Sequence, residues 1–419
     1  MKNLKIFTNN IEESAKEQID LLLEQEPFKE CKIRIMPDVH AGAGCVIGFT
    51  GDLKDKIIPN IVGVDIGCGM LCVGLGNINL DLKQLDKIIH SYVPSGFDVH
   101  DKRKEHFEKL QDLKCYRELK DTKRIERCLG TLGGGNHFIE VDIDDDNNKY
   151  LVIHTGSRNL GKQVAEYYQD LADKLINYNQ DEYFEMKQKI IQEYKEQGRK
   201  TEIQDALKEL SQKYNENKNK IPKELCYLEG KYRDDYLHDM VICQEFAHKN
   251  RREIAKTILK HLGYDINLVL SSYDSSYGSL MSVDKVSFDW FESVHNYLDF
   301  HDNIIRKGAI SAKKGKTLII PINMRDGCII GIGKGNDDWN QSAPHGAGRT
   351  MSRNMARDVL NMEEFKETMN GIYTTSVNEG TIDESPMAYK PMEEIIDYIK
   401  DTVEITKIIK PIYNFKASE

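Results

Sequence analysis

Three stretches of the chain, residues 33–76, 129–161 and 316–348, are rich in Gly, Val and Ile and lack the three- and four-residue spacing by which a helix buries one face. Each reads as short strands joined by tight glycine turns. Between them lie stretches with helical spacing, most clearly residues 164–178 and 235–262. Strand-rich blocks alternating with helices predict an α+β fold. With 419 residues the chain can build one large core, and the expectation is a single domain over residues 1–419, its mixed strands set around a central pocket. One segment breaks the pattern. About half of residues 181–220 are charged, with both signs interleaved, which predicts an inserted helical hairpin with a solvated face.

Composition narrows the function classes. Hydrophobic residues at 40% and charged residues at 30% are a globular profile and exclude disorder for the bulk of the chain. No segment approaches the roughly 20 apolar residues of a bilayer span, and no basic start precedes an apolar run, so the expected location is the cytoplasm. Nine cysteines, an odd number with no C-x-x-C pair, fit reduced thiols with at least one acting as a ligand. A net charge of −10 argues against a protein that coats nucleic acid. It leaves room for a local basic site, and Arg158, Arg349 and Arg353, set among glycines, are the candidate phosphate contacts.

The residues 62–70 follow an apolar run and place Asp65 three positions before Cys68 in a glycine-bracketed loop. A carboxylate beside a thiolate suits a transition metal better than Mg²⁺ or Ca²⁺. Alone, Cys68 reads better as a small buried hydrophobe and Asp65 as a turn residue. Three imidazoles shift that balance. His137 follows three glycines and Asn136 at the start of an expected strand, His154 is expected to end another, and His295 stands between Val294 and Asn296. Singly, each reads better as a hydrogen-bonded structural histidine than as a ligand. Together with Asp65 and Cys68 they make five ligands, too many for one tetrahedral ion with an open position. Two ions sharing the thiolate fit better, and a bimetallic site suits chemistry at phosphorus.

The most unusual stretch is Ser342-Ala343-Pro344-His345-Gly346-Ala347-Gly348-Arg349. Small residues let a ligand approach the backbone, and the segment following to Leu360 reads as a helix whose N-terminus can receive a phosphate. His345 beside such a phosphate is a competent nucleophile that forms a phosphoramidate; capping or metal binding are its other readings. The Gly315-Lys316-Thr317 stretch resembles the end of a P-loop, but Gly308 stands too far upstream and a strand is expected to follow. No H-E-x-x-H or zinc-deaminase pattern is present.

Taken in order, Met36-Pro37-Asp38-Val39-His40, the 62–70 loop, residues 130–140 and 154–161, the blocks around His295 and His345, and Pro386-Met387-Ala388-Tyr389-Lys390 resemble the RtcB family of RNA-splicing ligases over nearly the whole chain. The resemblance implies that Asp65, Cys68, His137, His154 and His295 hold two Mn²⁺ ions, with Cys68 bridging. It implies that His345 carries a covalent GMP taken from GTP. It implies nucleotide contacts from Asn136, His137, Phe138, Ile139 and Glu140, from Asn250, His295 and Asn296, from Pro321, Ile322, Asn323 and Met324, from Cys328, from His345, Gly346, Ala347 and Gly348, and from Lys416. Arg251, with Asn250, is expected to end a helix near the nucleotide sugar. Arg158, Arg349 and Arg353 match arginines that bind RNA phosphates. Ile322 and Cys328 depart from the family's residues at the nucleotide site.

The implied activity is a GTP-dependent ligase that joins an RNA 3′-phosphate or 2′,3′-cyclic phosphate to a 5′-hydroxyl, in tRNA splicing or RNA repair. Its partners are RNA ends and GTP, with no membrane; a monomer is expected, with room for an activating protein. Two alternatives stay open at this point: a metal-dependent phosphodiesterase or phosphatase acting on RNA ends, and a non-catalytic protein that binds them.

Overall fold

The computed structural model describes residues 3–52, 55–177, 180–216, 221–264, 266–267, 277–282 and 287–417. Residue 178 of the first expected helix and residues 217–220 of the expected hairpin lie outside them.

Two sheets organise the molecule. The larger runs Thr317–Asn323, Gly327–Gly333, Val403–Lys416, Phe138–Ile143, Lys149–Thr155, Gly69–Gly76, Ser287–Val294, Tyr277–Ser282 and Ile266–Asn267, with Tyr373–Thr374 added in parallel beside Val403–Lys416. The smaller runs Leu4–Ile6, Ile33–His40, Ile47–Gly51, Ile304–Lys307 and Asn296–Asp299. The central strands read as unbroken apolar runs because both faces are covered. On one face Leu71, Ile139 and Ile153 pack with Ile254 and Ile258; on the other Met70, Phe138 and Val152 pack with Ile319 and Ile330. The alternation of side chains along a strand decides which residue goes where.

Register carries the consequence for function. Lys149–Thr155 lies between Phe138–Ile143 and Gly69–Gly76, and His154 stands opposite both Phe138 and Met70. Gly69 is in turn opposite Val294. Cys68, His137 and His295 each sit one residue beyond these paired positions, so the strand ends deliver them to the same corner as His154. His295 is also where the chain leaves the large sheet for the small one. The expectation that His154 ends its strand is corrected by one residue: the strand continues to Thr155, and His154 is paired on both sides.

Two helices brace this corner. Arg158–Asn177 buries Leu160, Val164, Ala165, Tyr168 and Ala172 at helical spacing. Gly230–His261 buries Tyr236, Met240, Cys243 and Phe246 in one core cluster, then Ile254, Ala255 and Ile258 in the next, and so ties the two together. Asn250 and Arg251 therefore stand in mid-helix, not at its end as expected, because the apolar stripe continues past them for two more turns. The charged segment forms the helices Gln180–Glu196 and Ile203–Glu216, which pack on each other. None of their described side chains is buried. After His345 the chain stays irregular until the helix Arg353–Val359, whose first turn is capped by the Ser352 hydroxyl accepting from Met355 N at 3.2 Å. The helix expected to start beside His345 starts eight residues later, since the glycines between favour turns over helix.

Candidate metal centre and adjoining cavity

At the shared corner, Cys68 Sγ lies 3.4 Å from His137 Nε2 and 3.3 Å from His154 Nε2. Asp65 Oδ2 is 3.1 Å from His137 Nε2, and His154 Nε2 is 3.3 Å from His295 Nε2. The five side chains expected to act together thus meet around one small volume. Cys68, His137 and His154 are among the groups whose donor atoms all lie within 4.8 Å of one another.

The protons on these rings are fixed by the backbone. His137 Nδ1 donates to the Leu132 carbonyl at 3.0 Å and His154 Nδ1 donates to the Asn136 carbonyl at 3.2 Å. Each ring then turns an unprotonated Nε2 inward, which is how ligand histidines are oriented. Burial first, and then neighbouring imidazoles, hold His154 and His295 well below the usual histidine range, so both stay neutral and able to coordinate. Burial works against the Asp65 carboxylate, but its contact with His137 outweighs that and draws its pKa below the usual value. Burial, followed by the Asp65 charge, pushes the Cys68 thiol well up. Lone pairs facing one another at such distances in a dry pocket repel unless a cation sits among them. Two neutral imidazoles, a carboxylate and a thiol that a divalent ion would deprotonate are a donor set that fits a transition metal.

The surroundings are shaped for this cluster. Asp65 Oδ1 accepts from Ser157 N at 3.1 Å, and a Cβ at Gly156 would come within 2.2 Å of that oxygen, so only glycine fits there. Arg251, fully buried, donates to the carbonyls of Gly67 at 2.8 Å and Thr155 at 2.9 Å, the residues next to Cys68 and His154. Its charge is balanced by Glu292, whose carboxyl burial would raise but which Arg251 and His248 hold far below its usual value. Asn296 joins the same scaffold: its Nδ2 donates to the Asp65 carbonyl at 3.2 Å and its Oδ1 accepts from Gly308 N at 2.9 Å.

Beside the cluster opens a cavity of about 160 Å³. The ring centroids of His295 and His345 are 4.8 Å apart, so His345 stands between the ligand cluster and this cavity. Its Nδ1 lies 2.6 Å from Asp38 Oδ2, and its backbone N–H donates to the same oxygen at 3.1 Å. With Nδ1 carrying the proton, Nε2 keeps its lone pair. Gly348 at φ +74° lies so close to Asp38 that a Cβ would be 2.6 Å from its carbonyl oxygen, which keeps the His345 loop seated on the Asp38 strand.

Of the residues expected around a nucleotide, Asn136, Phe138, Glu140, Pro321, Ile322, Asn323, Met324, Gly346, Ala347, Gly348 and Lys416 line the cavity with His345, as do Arg349 and Arg353. Six expected contacts do not line it: His137 and His295 belong to the ligand cluster, and four others are placed elsewhere. Ile139 points into the core behind the strand, because alternation turns Phe138 and Glu140 the other way. Asn250 is fully buried and saturated by backbone, accepting from Gly130 N at 2.7 Å and donating to Gly156 O at 3.1 Å. Asn296 holds the Asp65 loop, and Cys328 sits behind Glu140 at 3.9 Å. Arg158 is also committed to backbone, donating to Gly96 O at 3.0 Å and, through Nε, to the Thr131 hydroxyl at 3.2 Å. Arg353 instead reaches Asp383 and Glu384, each at 2.9 Å.

Sequence reasoning missed several residues. Asp38 entered only as part of a motif, although a carboxylate in an otherwise apolar strand was a visible signal. Glu384, Tyr389 and Asn414 line the cavity without having been singled out. Glu384 accepts from Lys416 Nζ at 2.5 Å and from the Tyr389 hydroxyl at 2.6 Å. Burial works against its charge, but Lys416 and Arg353 hold its carboxyl down at about 2. Glu140, two positions before Asp142 on the same face of its strand, accepts from Asn414 Nδ2. Glu140, Asp142 and Cys328 form a second buried group of close donor atoms.

Comparison with known proteins gives the family of the chain. The family model described as tRNA-splicing ligase RtcB matches residues 23–417. The RNA-splicing ligase RtcB of Escherichia coli (strain K12) is 29% identical, over 99% of this chain and 97% of its own. The tRNA-splicing ligases RtcB of Nanoarchaeum equitans and Aeropyrum pernix are each 25% identical, over 90% and 86% of this chain and 85% and 82% of their own. With the match extending over nearly the whole chain, ligand corner and His345 loop included, the chain belongs to the RtcB family of tRNA-splicing ligases.

Proposed function

We propose that the chain is a GTP- and manganese-dependent ligase that joins an RNA 3′-phosphate or 2′,3′-cyclic phosphate to a 5′-hydroxyl through a guanylate carried on His345. The observation that carries this reading is the position of His345: its Nδ1 is held by Asp38, its ring is against the ligand cluster, and its loop lines the adjoining cavity. A phosphodiesterase would use the cluster but has no use for a second, carboxylate-oriented imidazole beside it.

Asp65, Cys68, His137, His154 and His295 would hold two manganese ions. When bound, the ions supply charge neutralisation and polarisation of phosphoryl oxygens. Asp38 keeps the proton of His345 on Nδ1, so that Nε2 attacks the α-phosphorus of GTP and pyrophosphate leaves. The products are His345-GMP and pyrophosphate. Glu140, held by Asn414, would accept from the N–H edge of the guanine, and Phe138 and the Pro321–Met324 residues would enclose the base. Lys416, paired with Glu384, would face the nucleotide.

An RNA that ends in a cyclic phosphate is first opened by water to a 3′-phosphate. An oxygen of that 3′-phosphate attacks the phosphorus on His345, which releases the imidazole and yields RNA-(3′)pp(5′)G. The 5′-hydroxyl of the second strand attacks the RNA phosphorus, the new phosphodiester forms, and GMP leaves. Arg349 and Arg353 would exchange Asp383 and Glu384 for RNA phosphates, positioning the ends in line.

The test is joining of a 3′-phosphate strand to a 5′-hydroxyl strand with GTP and, in turn, Mn²⁺, Mg²⁺ and Zn²⁺. A joined product that requires both GTP and Mn²⁺ is expected. Loss of the terminal phosphate without joining would instead support a phosphatase.

A further inference from the structure

A second cavity, of about 350 Å³, lies against the loop that leads into Asn136. One wall is the end of the helix Gly230–His261, where Glu253, Lys256, Thr257, Lys260 and His261 recur at the spacing of a single helix face. The facing wall comes from residues 91–104 and brings in His100 and Lys104. Lys104 Nζ donates to the Thr257 hydroxyl at 2.9 Å. That acceptor is neutral, and an ammonium has three donors. Among the described residues no carboxylate stands within ion-pairing reach of Lys104. Glu253, the only acid among the described residues of the walls, is 3.9 Å from Lys256 Nζ. Three ammonium groups therefore share one carboxylate in a chain whose net charge is −10.

The carbonyl end of the helix accounts for Lys260 and His261, because it attracts cations. It does not account for Lys104, which arrives from another part of the chain and loses hydration in doing so; burial draws its pKa down. The stacked rings of Tyr92 and His261, with centroids 3.6 Å apart, make one side of the space flat and aromatic. The place is also connected to the ligand corner. His100 Nε2 donates to the Gly130 carbonyl at 3.1 Å and Gly96 N donates to the Gly133 carbonyl at 2.9 Å. Between those two residues lies Leu132, whose carbonyl holds His137 Nδ1.

We propose that this cavity is a second phosphate-binding site, in which Lys104, Lys256 and Lys260 take a phosphate group either from the backbone of an RNA strand or as free phosphate. It is separate from the guanylate chemistry and does not require that reading to hold. An anion there supplies the missing countercharge and steadies the 130–133 loop on which His137 depends.

The experiment uses the full chain loaded with Mn²⁺ and compares wild type with Lys104→Gln, Lys256→Gln and the double variant. Binding of a fluorescent 5′-hydroxyl RNA is followed by anisotropy over a range of salt, and binding of inorganic phosphate by calorimetry. If the source is RNA, the double variant binds about tenfold more weakly and its slope of log affinity against log salt is shallower by about 1.4, at ~0.7 per lost contact with a single strand. If the source is free phosphate, RNA binding is unchanged and the double variant loses one phosphate-binding event. Lys256→Gln, at a side chain 43% exposed, should fold even if the double variant does not, and should show about half the slope change or a weakened phosphate event. Unchanged RNA and phosphate binding overturns the proposal, as does an equal loss in Lys400→Gln, a change at an exposed lysine outside the cavity.

Discussion

His345 Nδ1 sits 2.6 Å from Asp38 Oδ2, and that oxygen also receives the His345 backbone N–H at 3.1 Å. One carboxylate thus fixes both the tautomer of the ring and the path of its loop. In Asp38→Asn the amide can donate to Nδ1 and favour the tautomer protonated on Nε2. The expected result is a fall of about 10²–10⁴-fold in guanylation from GTP. Joining of a preformed RNA-(3′)pp(5′)G end, which needs no nucleophilic imidazole, should largely survive. Equal loss of both steps would mean that Asp38 only stabilises the fold.

The ligand corner predicts separable effects on metal and on folding. Gly156→Ala would drive a Cβ to within 2.2 Å of Asp65 Oδ1 and displace that carboxylate. Manganese affinity should drop about 10–100-fold, as it does when ligand orientation is lost. Cys68→Ala should lower manganese content further, since Cys68 Sγ stands against both His137 Nε2 and His154 Nε2 at the middle of the cluster. Titration with Mn²⁺ followed by electron paramagnetic resonance checks both, and wild-type affinity in either variant would contradict the assignment.

Arg251 and Glu292 form a fully buried pair behind the cluster. Replacing Arg251 with Met leaves Glu292 buried with only His248 and the more distant Arg252 beside it, which costs at most about 3–5 kcal/mol. The two carbonyls that Arg251 holds flank Cys68 and His154, so weaker manganese binding should accompany the lower melting temperature. Calorimetric melting with and without Mn²⁺ reads both. A melt unchanged from wild type would contradict the buried pair.

Glu140 and Asp142 carry the pH prediction. Burial raises the Glu140 carboxyl from 4.5 to about 7, against the pull of Asp142, Asn414 and Lys416. Burial and then the Glu140 charge raise Asp142 well above its usual range. Among the described residues no N–H or O–H donor reaches either oxygen of Asp142, so a proton shared with Glu140 is what relieves the pair. The folded chain therefore keeps protons that the unfolded chain has released. The stability this gives is complete below the unfolded pKa near 4.5 and declines as pH rises toward 7. Asp142→Asn supplies an amide donor in place of the shared proton and should flatten the decline, by about 2–3 kcal/mol between pH 5 and pH 8. Denaturant melts at the two pH values measure it, and parallel declines in both proteins would contradict the shared proton.

Much of this site was legible in the sequence because its chemistry needs uncommon residues in uncommon places. Cys68 with Asp65 in a glycine-bracketed loop, and three histidines at expected strand ends or loops, have few structural uses in common. What the sequence hid was direction. Ile139 lies between two cavity residues, yet strand alternation sends it into the core. Asn250 and Arg251 look like ligand contacts, but a helix that continues past them turns both onto backbone carbonyls. Asp38 was disguised by the apolar strand around it, and its use emerges only when the His345 loop, more than 300 residues later in the chain, folds across it. Arg158 was read as a phosphate contact from its glycine neighbours, whereas the fold brings it the Gly96 carbonyl and the Thr131 hydroxyl to bind.

The decisive measurement is incubation of the protein with Mn²⁺ and GTP labelled at the α-phosphate, followed by denaturing electrophoresis. An imidazole that takes guanylate should leave a protein-bound label that acid removes and that His345→Ala lacks. A wild-type chain that never takes up the label, or a label that persists in His345→Ala, would contradict a guanylated His345.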